Sequence, residues 1–141
     1  MIVLDTNVLS EAMSPSPNPS VYRWLSQQAK DEVYTTAISM AEILQGIELL
    51  PVGKRRAGLL AAAQLMFTTL LPGRVLSFDE AAAQAFAPIA VDRRKRGKPI
   101  SLFDAQIASI AKARNAALAT RGIRDFDGCG VRLVNPWQEL T

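Results

Sequence analysis

The sequence predicts an α/β protein, three layers deep, with a central parallel sheet of four to five short strands covered by helices on both faces. Three observations lead there. Short strand-like runs recur at Ile2 to Leu4, Val33 to Thr36, Arg74 to Phe78, Ala117 to Ala119 and Val131 to Val134. Longer stretches with apolar residues at helical spacing, or rich in alanine, lie between them. Strands that alternate with helices in this way pair in parallel, because each crossover returns the chain to the same end of the sheet.

Ile2-Val3-Leu4 is too short for periodicity, but a continuous apolar run suits a buried strand, and Asp5 stands at its carboxyl end. Val8 to Met13 forms a short helix that Pro15, Pro17 and Pro19 stop; Ser20 to Lys30 resumes it with Val21, Trp24 and Leu25 on one side. After the second strand, Met40, Ile43, Leu44 and Ile47 follow i, i+3, i+4, i+7, the stripe of an amphipathic helix over Ser39 to Leu50. Pro51-Val52-Gly53 ends it, and a further helical stretch runs to about Leu71. Pro72-Gly73 precedes the third strand. Asp79 and Glu80 then open an alanine-rich helix toward Arg96. Gly97-Lys98-Pro99 is a loop, and Ser101 to Arg114 a helix with Phe103, Ile107 and Ile110 on its apolar face. The strand ending at Thr120, the turn-rich segment Gly122 to Gly130 and the last strand complete the order.

A length of 141 residues fits one compact domain spanning 1–141. No stretch is long and apolar enough for a bilayer span, and no basic segment leads into an apolar signal core. With a single cysteine, Cys129, unable to form an internal disulfide, the expectation is a soluble cytoplasmic protein. The chain has no histidine. That excludes Ser-His-Asp and Cys-His machinery and the usual zinc ligand sets, leaving carboxylates, hydroxyls, amines or a hard metal to carry any chemistry.

In open parallel sheets, functional groups gather at the carboxyl ends of strands where strand order reverses. Asp5 and Asp125 follow strands, while Glu42 and Asp104 sit early on helices that follow a strand or a loop. Four acids from distant segments therefore converge on one end of the sheet if the topology is right. Each also has a plainer reading: Asp5 as a helix cap or Asx turn, Asp104 as part of a capping box with Ser101, Glu42 as a solvated helix residue, Asp125 as turn chemistry.

These segments resemble a known family. Ile2-Val3-Leu4-Asp5-Thr6-Asn7-Val8-Leu9-Ser10 and Ser39-Met40-Ala41-Glu42-Ile43 with Gly46 are similar to the opening blocks of PIN domains. Ser101-Leu102-Phe103-Asp104-Ala105-Gln106-Ile107-Ala108, and Ala119-Thr120-Arg121 followed by Asp125-Phe126, resemble the third and fourth. The ending Val131-Arg132-Leu133-Val134-Asn135-Pro136-Trp137 is similar to the FitB-like branch of the VapC toxins.

The resemblance implies a metal-dependent endoribonuclease, the toxin of a type II toxin–antitoxin pair. Its acidic site would be Asp5, Glu42, Asp104 and Asp125, with Thr6, Asn7 and Thr120 as supporting polar groups on the substrate side. It also implies a VapB/FitA-like antitoxin that carries the DNA-binding function, and a homodimer. Trp24, Phe67 and Phe86 are candidates for such faces, or are core aromatics. At one position the chain departs: Gly122 stands where the family often has asparagine, so a side chain that helps position the site is missing.

The physics of the site stands without the family. Carboxylates about 4 Å apart repel by roughly 4 kcal/mol per pair at an effective dielectric near 20, so four together require a cation or protons. All-oxygen ligands select Mg²⁺ or Mn²⁺, with Asp5 and Asp104 as the expected direct ligands. An ion held there would activate water for in-line attack on a phosphodiester, leaving a 5′-phosphate and a 3′-hydroxyl. Sixteen Lys and Arg against thirteen Asp and Glu suit a polyanionic partner. Half of that positive charge lies in Lys54-Arg55-Arg56 and in Arg93-Arg94-Lys95-Arg96 with Lys98, so Arg93, Arg94 and Arg96 are expected to hold the RNA backbone.

Overall fold

The computed structural model describes residues 1–138. Five parallel strands form one sheet: β1 (Ile2–Leu4), β2 (Val33–Thr36), β3 (Val75–Leu76), β4 (Ala117–Ala119) and β5 (Leu133–Val134), in the order β3-β2-β1-β4-β5. Six helices accompany them: α1 (Thr6–Ala12), α2 (Pro19–Ser26), α3 (Ala37–Glu48), α4 (Lys54–Leu65), α5 (Glu80–Lys95) and α6 (Leu102–Ala113). The predicted order of elements holds throughout. The outer strands are shorter than expected, because only two residues of each find ladder partners, Thr35–Thr36 against Val75–Leu76 and Leu118–Ala119 against Leu133–Val134.

The pleat of the central strands divides the core between two faces. Val3 and Leu118 point to one side and join Ile107, Ala108, Ile110 and Ile89 from α5 and α6. Leu4 and Ala119 point to the other and meet Val8, Leu9, Ile43, Ile47 and Phe67. Phe67 is thus a core residue, Trp24 packs against the same cluster, and Phe86 meets Phe78 edge to face. Phe103 departs from the expected apolar stripe and is 44% exposed, since it lies in the first turn of α6, ahead of the point where that helix reaches the core. Between α4 and β3 the chain widens into a π-helical turn, Met66–Leu70, that no sequence signal marked.

From β1 the chain builds outward through β2 and β3, then crosses back to place β4 on the opposite flank of β1. Strand order therefore reverses between β1 and β4, and a crevice opens at their carboxyl ends. Side-chain caps fix the helix starts at that end. Asp5 accepts from Thr6 N, Thr36 from Ser39 N, and Ser101 from Asp104 N. Each cap satisfies a backbone donor that the first helical turn would leave free. Among the described residues no helix is long and apolar enough to cross a membrane.

Candidate active site

A cleft of about 530 Å³ opens at this crevice, lined by Asp5, Thr6, Asn7, Ser10, Glu11, Glu42, Asp104, Arg121, Asp125 and Trp137. All four acids singled out from the sequence face it, each brought by a different element.

Asp5 is the most enclosed of them, only 6% exposed. One carboxylate oxygen, Oδ1, accepts from Thr6 N at 2.8 Å, and the other, Oδ2, from the Thr120 hydroxyl at 2.7 Å. The hydroxyl's direction is set in turn, because Thr120 Oγ1 accepts from Gly122 N at 3.0 Å and so has its own proton free for Asp5. Asp5, for which capping and a place in the cleft were alternatives in the sequence, both caps α1 and lines the cleft. Thr120 is fully buried. It does not reach a substrate, contrary to its expected place on the substrate side: the end of β4 turns it inward onto Asp5. Thr6 and Asn7 do line the cleft, and each also braces a neighbour. The Thr6 hydroxyl lies 2.8 Å from Glu42 Oε1 and 3.0 Å from Ser39 Oγ, and Asn7 Oδ1 accepts from Arg121 N at 3.3 Å.

Burial pushes the Asp5 carboxyl up to about 6, opposed by the Thr120 and Thr6 hydrogen bonds and reinforced by the charges of Asp104 and Glu42. Asp104 is raised as well, first by burial, then by Asp125 and Glu42, with the Ser101 contact and the Arg93 charge pulling the other way. The charge of Glu42 thus reaches both Asp5 and Asp104. Ion pairs between described residues lie elsewhere, at Met1–Glu32, Arg56–Glu48 and Arg96–Asp92.

An uncompensated set of carboxylate and hydroxyl oxygens, without amine, thiol or imidazole, fits a hard divalent cation in kind. Among the described residues no three such side chains are already drawn tightly enough to share an ion. Closing around one would fall to half-buried Glu42 and Asp104 and exposed Asp125, while buried Asp5 is held by two hydrogen bonds.

The basic stretch at the end of α5 does not form the expected RNA-binding row. Arg93 is 5% exposed, and its guanidinium donates to the backbone oxygens of Lys98 (2.7 Å), Asp125 (2.8 Å) and Asp127 (3.2 Å). It lies on the inward stripe of α5 with Ala82 and Ile89, so it clamps the loop that carries Asp125 and is closed to RNA. Arg96 pairs with Asp92 and donates to Gly128 O. Of the three, only Arg94 is exposed with no partner among the described residues, and none of them lines the cleft. The cleft's cation is Arg121, whose guanidinium carbon sits 5.1 Å from the centroid of the Trp137 ring. Arg121, Trp137 and Glu11 were missed from sequence. Glu11 was within reach, because it follows Asn7 by one helical repeat on α1.

Replacing Thr120 with valine is expected to raise the Asp5 pKa further, to cost about 1–2 kcal/mol of stability and to weaken divalent-ion binding at neutral pH. Thr120→Ser should retain all three properties. Calorimetric Mn²⁺ titration and chemical denaturation would check this, and an unchanged Thr120→Val protein would refute the hydrogen-bond relay.

A doubly covered parallel sheet with acids converging on its switch point defines the class, and the chain belongs to the PIN-domain family, whose model matches residues 2–128. More particularly, it is similar to the toxin FitB of Neisseria gonorrhoeae, 38% identical over 139 residues that cover 99% of this chain and all of that one. A VapC ribonuclease, Y4jK, of Sinorhizobium fredii is 36% identical, with 98% and 99% covered. The fold superimposes on the structure of FitAB bound to an IR36 DNA fragment with a TM-score of 0.92, at 38% identity, covering 100% of this chain and 99% of the other.

Proposed function

We propose that this protein is the toxin of a type II toxin–antitoxin pair and acts as a metal-dependent endoribonuclease. One observation carries the chemistry: carboxylates from four separate segments, Asp5, Glu42, Asp104 and Asp125, face one cleft in which Arg121, parked on Trp137, is the lone lining cation among the described residues. Relatives named toxin FitB and VapC ribonuclease support the activity, and the FitAB–DNA structure supports a VapB/FitA-like antitoxin as the DNA-binding partner. A homodimer accords with the same likeness.

In this reading Asp5 and Asp104 would hold Mg²⁺ or Mn²⁺, with Glu42 and Asp125 completing the shell or accepting a proton from the attacking water. The ion, when bound, supplies charge neutralisation and a more acidic water. The chain's own work is positioning. Thr120 and Thr6 N hold the Asp5 carboxylate, the Thr6 hydroxyl, which lies beside Ser39 Oγ, holds Glu42, and Ser101 starts the helix that presents Asp104. Arg121 is placed to meet a phosphate at the cleft mouth, and the Trp137 ring to stack a base of single-stranded RNA. Arg94 remains available for more distant phosphates.

The test is cleavage of end-labelled single-stranded RNA with Mg²⁺ or Mn²⁺, with chelator, and with Asp104→Asn protein. Cutting that needs the metal and falls at least about 10²-fold in the variant is expected, since even groups behind metal ligands cost 10–100-fold when removed. Equal cutting by both proteins, or none on varied RNAs, would replace this reading with a catalytically silent module that binds RNA or an antitoxin-like protein.

A further inference from the structure

The cleft has a second wall, to which the metal assigns no role. Asn7 and Glu11 line it from α1, one helical repeat apart, which puts their Cβ atoms about 6 Å from each other on one face. Arg121 and Trp137 close the same side. Asn7 Oδ1 accepts from Arg121 N, the Arg121 guanidinium rests over the Trp137 ring, and Trp137 packs against the core cluster that holds Val8 and Leu9 of α1.

Three groups on this wall have no polar partner among the described residues. The Glu11 carboxylate makes neither a hydrogen bond nor an ion pair, although Arg121 lines the same cleft. The Arg121 guanidinium sits on a ring and not on an acid. The Asn7 amide is fixed in orientation because its oxygen faces Arg121 N, which leaves its two Nδ2 hydrogens free to donate. A carboxylate in a cleft for RNA repels phosphate, so Glu11 suits a part of the substrate that carries donors.

We propose that Asn7, Glu11 and Trp137 form a guanine-recognition subsite for single-stranded RNA, with Glu11 the specificity-determining residue. The inference rests on the ribonuclease reading above and deepens it by naming the base. On its Watson–Crick edge, open only where the strand is unpaired, guanine presents O6 as an acceptor beside two adjacent donors, N1–H and the N2 amino group. A carboxylate accepts from both donors at once, and an amide donor beside it reaches O6. Adenine and cytosine set a ring-nitrogen lone pair next to their amino group, and uracil flanks its one N–H with two carbonyls, so each of them turns an acceptor toward Glu11. The base stacks on the Trp137 ring in place of the Arg121 guanidinium, which moves to a neighbouring phosphate.

The experiment follows fluorescence anisotropy of labelled uridine octamers, plain or carrying one central guanosine, inosine, adenosine or cytidine, with chelator present so that binding is read apart from cutting. The guanosine octamer should bind at least about tenfold tighter than those with adenosine, cytidine or uridine, because a bidentate contact discriminates by about that much or more. Inosine, which lacks the N2 amino group, should fall in between. Glu11→Gln should abolish the guanosine preference yet bind the plain octamer as tightly as the parent or tighter, since a negative charge has left the cleft. Trp137→Ala should weaken every octamer by roughly fivefold or more. Equal affinity for all octamers, no measurable binding, or a guanosine preference that survives in Glu11→Gln would each overturn the proposal and leave this wall to a protein partner. Adding Mg²⁺ separates the two readings. Guanosine-selective binding without cutting sinks the ribonuclease reading and leaves the subsite as one for RNA binding; cutting without base preference in binding sinks the subsite alone.

Discussion

Replacing Arg93 with alanine is expected to lower stability by about 3 kcal/mol and to loosen the acidic cleft as well. Three backbone carbonyls, those of Lys98, Asp125 and Asp127, depend on this one guanidinium. An orphaned buried acceptor costs about 1–3 kcal/mol, and water entering the vacated space would offset part of the sum. Because two of the three carbonyls belong to the loop around Asp125, the same change should weaken Mn²⁺ binding at a distance from any ligand. Arg93→Lys should rescue only in part, since one ammonium cannot reproduce a planar fork aimed at separate carbonyls. Arg94→Ala is the internal control. Its exposed side chain should change stability by less than about 0.5 kcal/mol and show, if anything, a smaller salt slope for RNA binding. Urea unfolding of the three variants decides the matter. Equal stability of Arg93→Ala and Arg94→Ala would mean that the clamp is not structural.

The contrast between these neighbours shows where the sequence stops being legible. A run of four basic residues looks uniform, yet a helix turns one of every three or four inward, and Ala82, Ile89 and Arg93 share that inward stripe. Extending the apolar spacing from Ile89 by four residues would have singled out Arg93. The acids were legible for a firmer reason. A parallel sheet has one functional end, and Asp5, at the carboxyl end of β1, is pinned to it by chain order alone. Glu42 and Asp104 follow by the same logic, through Thr36 and Ser101 as caps. Arg121 and Trp137 come together only because β5 returns beside β4, a pairing of two residues that no periodicity reveals. At Gly122 the sequence shows only that a side chain is absent; that Asp125 Oδ2 lies 2.5 Å from where its Cβ would stand follows from the 3₁₀ turn between them.

Asp5→Asn should move stability and cleavage in opposite directions. The Asp5 carboxyl rises from 3.8 to about 6 on folding, chiefly through burial. The folded state therefore holds this proton more tightly than the unfolded chain does. Below pH 3.8 the group is protonated in both states and burial costs nothing through ionisation. As pH climbs from there to about 6 the metal-free protein loses stability, up to about 3 kcal/mol, and above 6 the loss is complete.

Asparagine removes that loss and keeps an oxygen for Thr6 N. It also faces Thr120 with an amide, so the hydroxyl, already accepting from Gly122 N, gives up its acceptor at about 1 kcal/mol. The net expectation for the metal-free variant at pH 7.5 is a gain of about 1–2 kcal/mol, a rise of a few degrees in Tm, that disappears by pH 4. Cleavage should fall by at least about 10²-fold, and added Mn²⁺ should no longer raise the Tm.

The parent protein supplies the complementary curve. Its Mn²⁺ affinity should be flat above about pH 7 and weaken about tenfold per pH unit below 6, where a proton competes for Asp5. A buried carboxylate kept at a cost to stability is what a metal ligand requires and what a mere helix cap does not. Destabilisation of Asp5→Asn at pH 7.5, with metal response intact, would return Asp5 to the status of a cap.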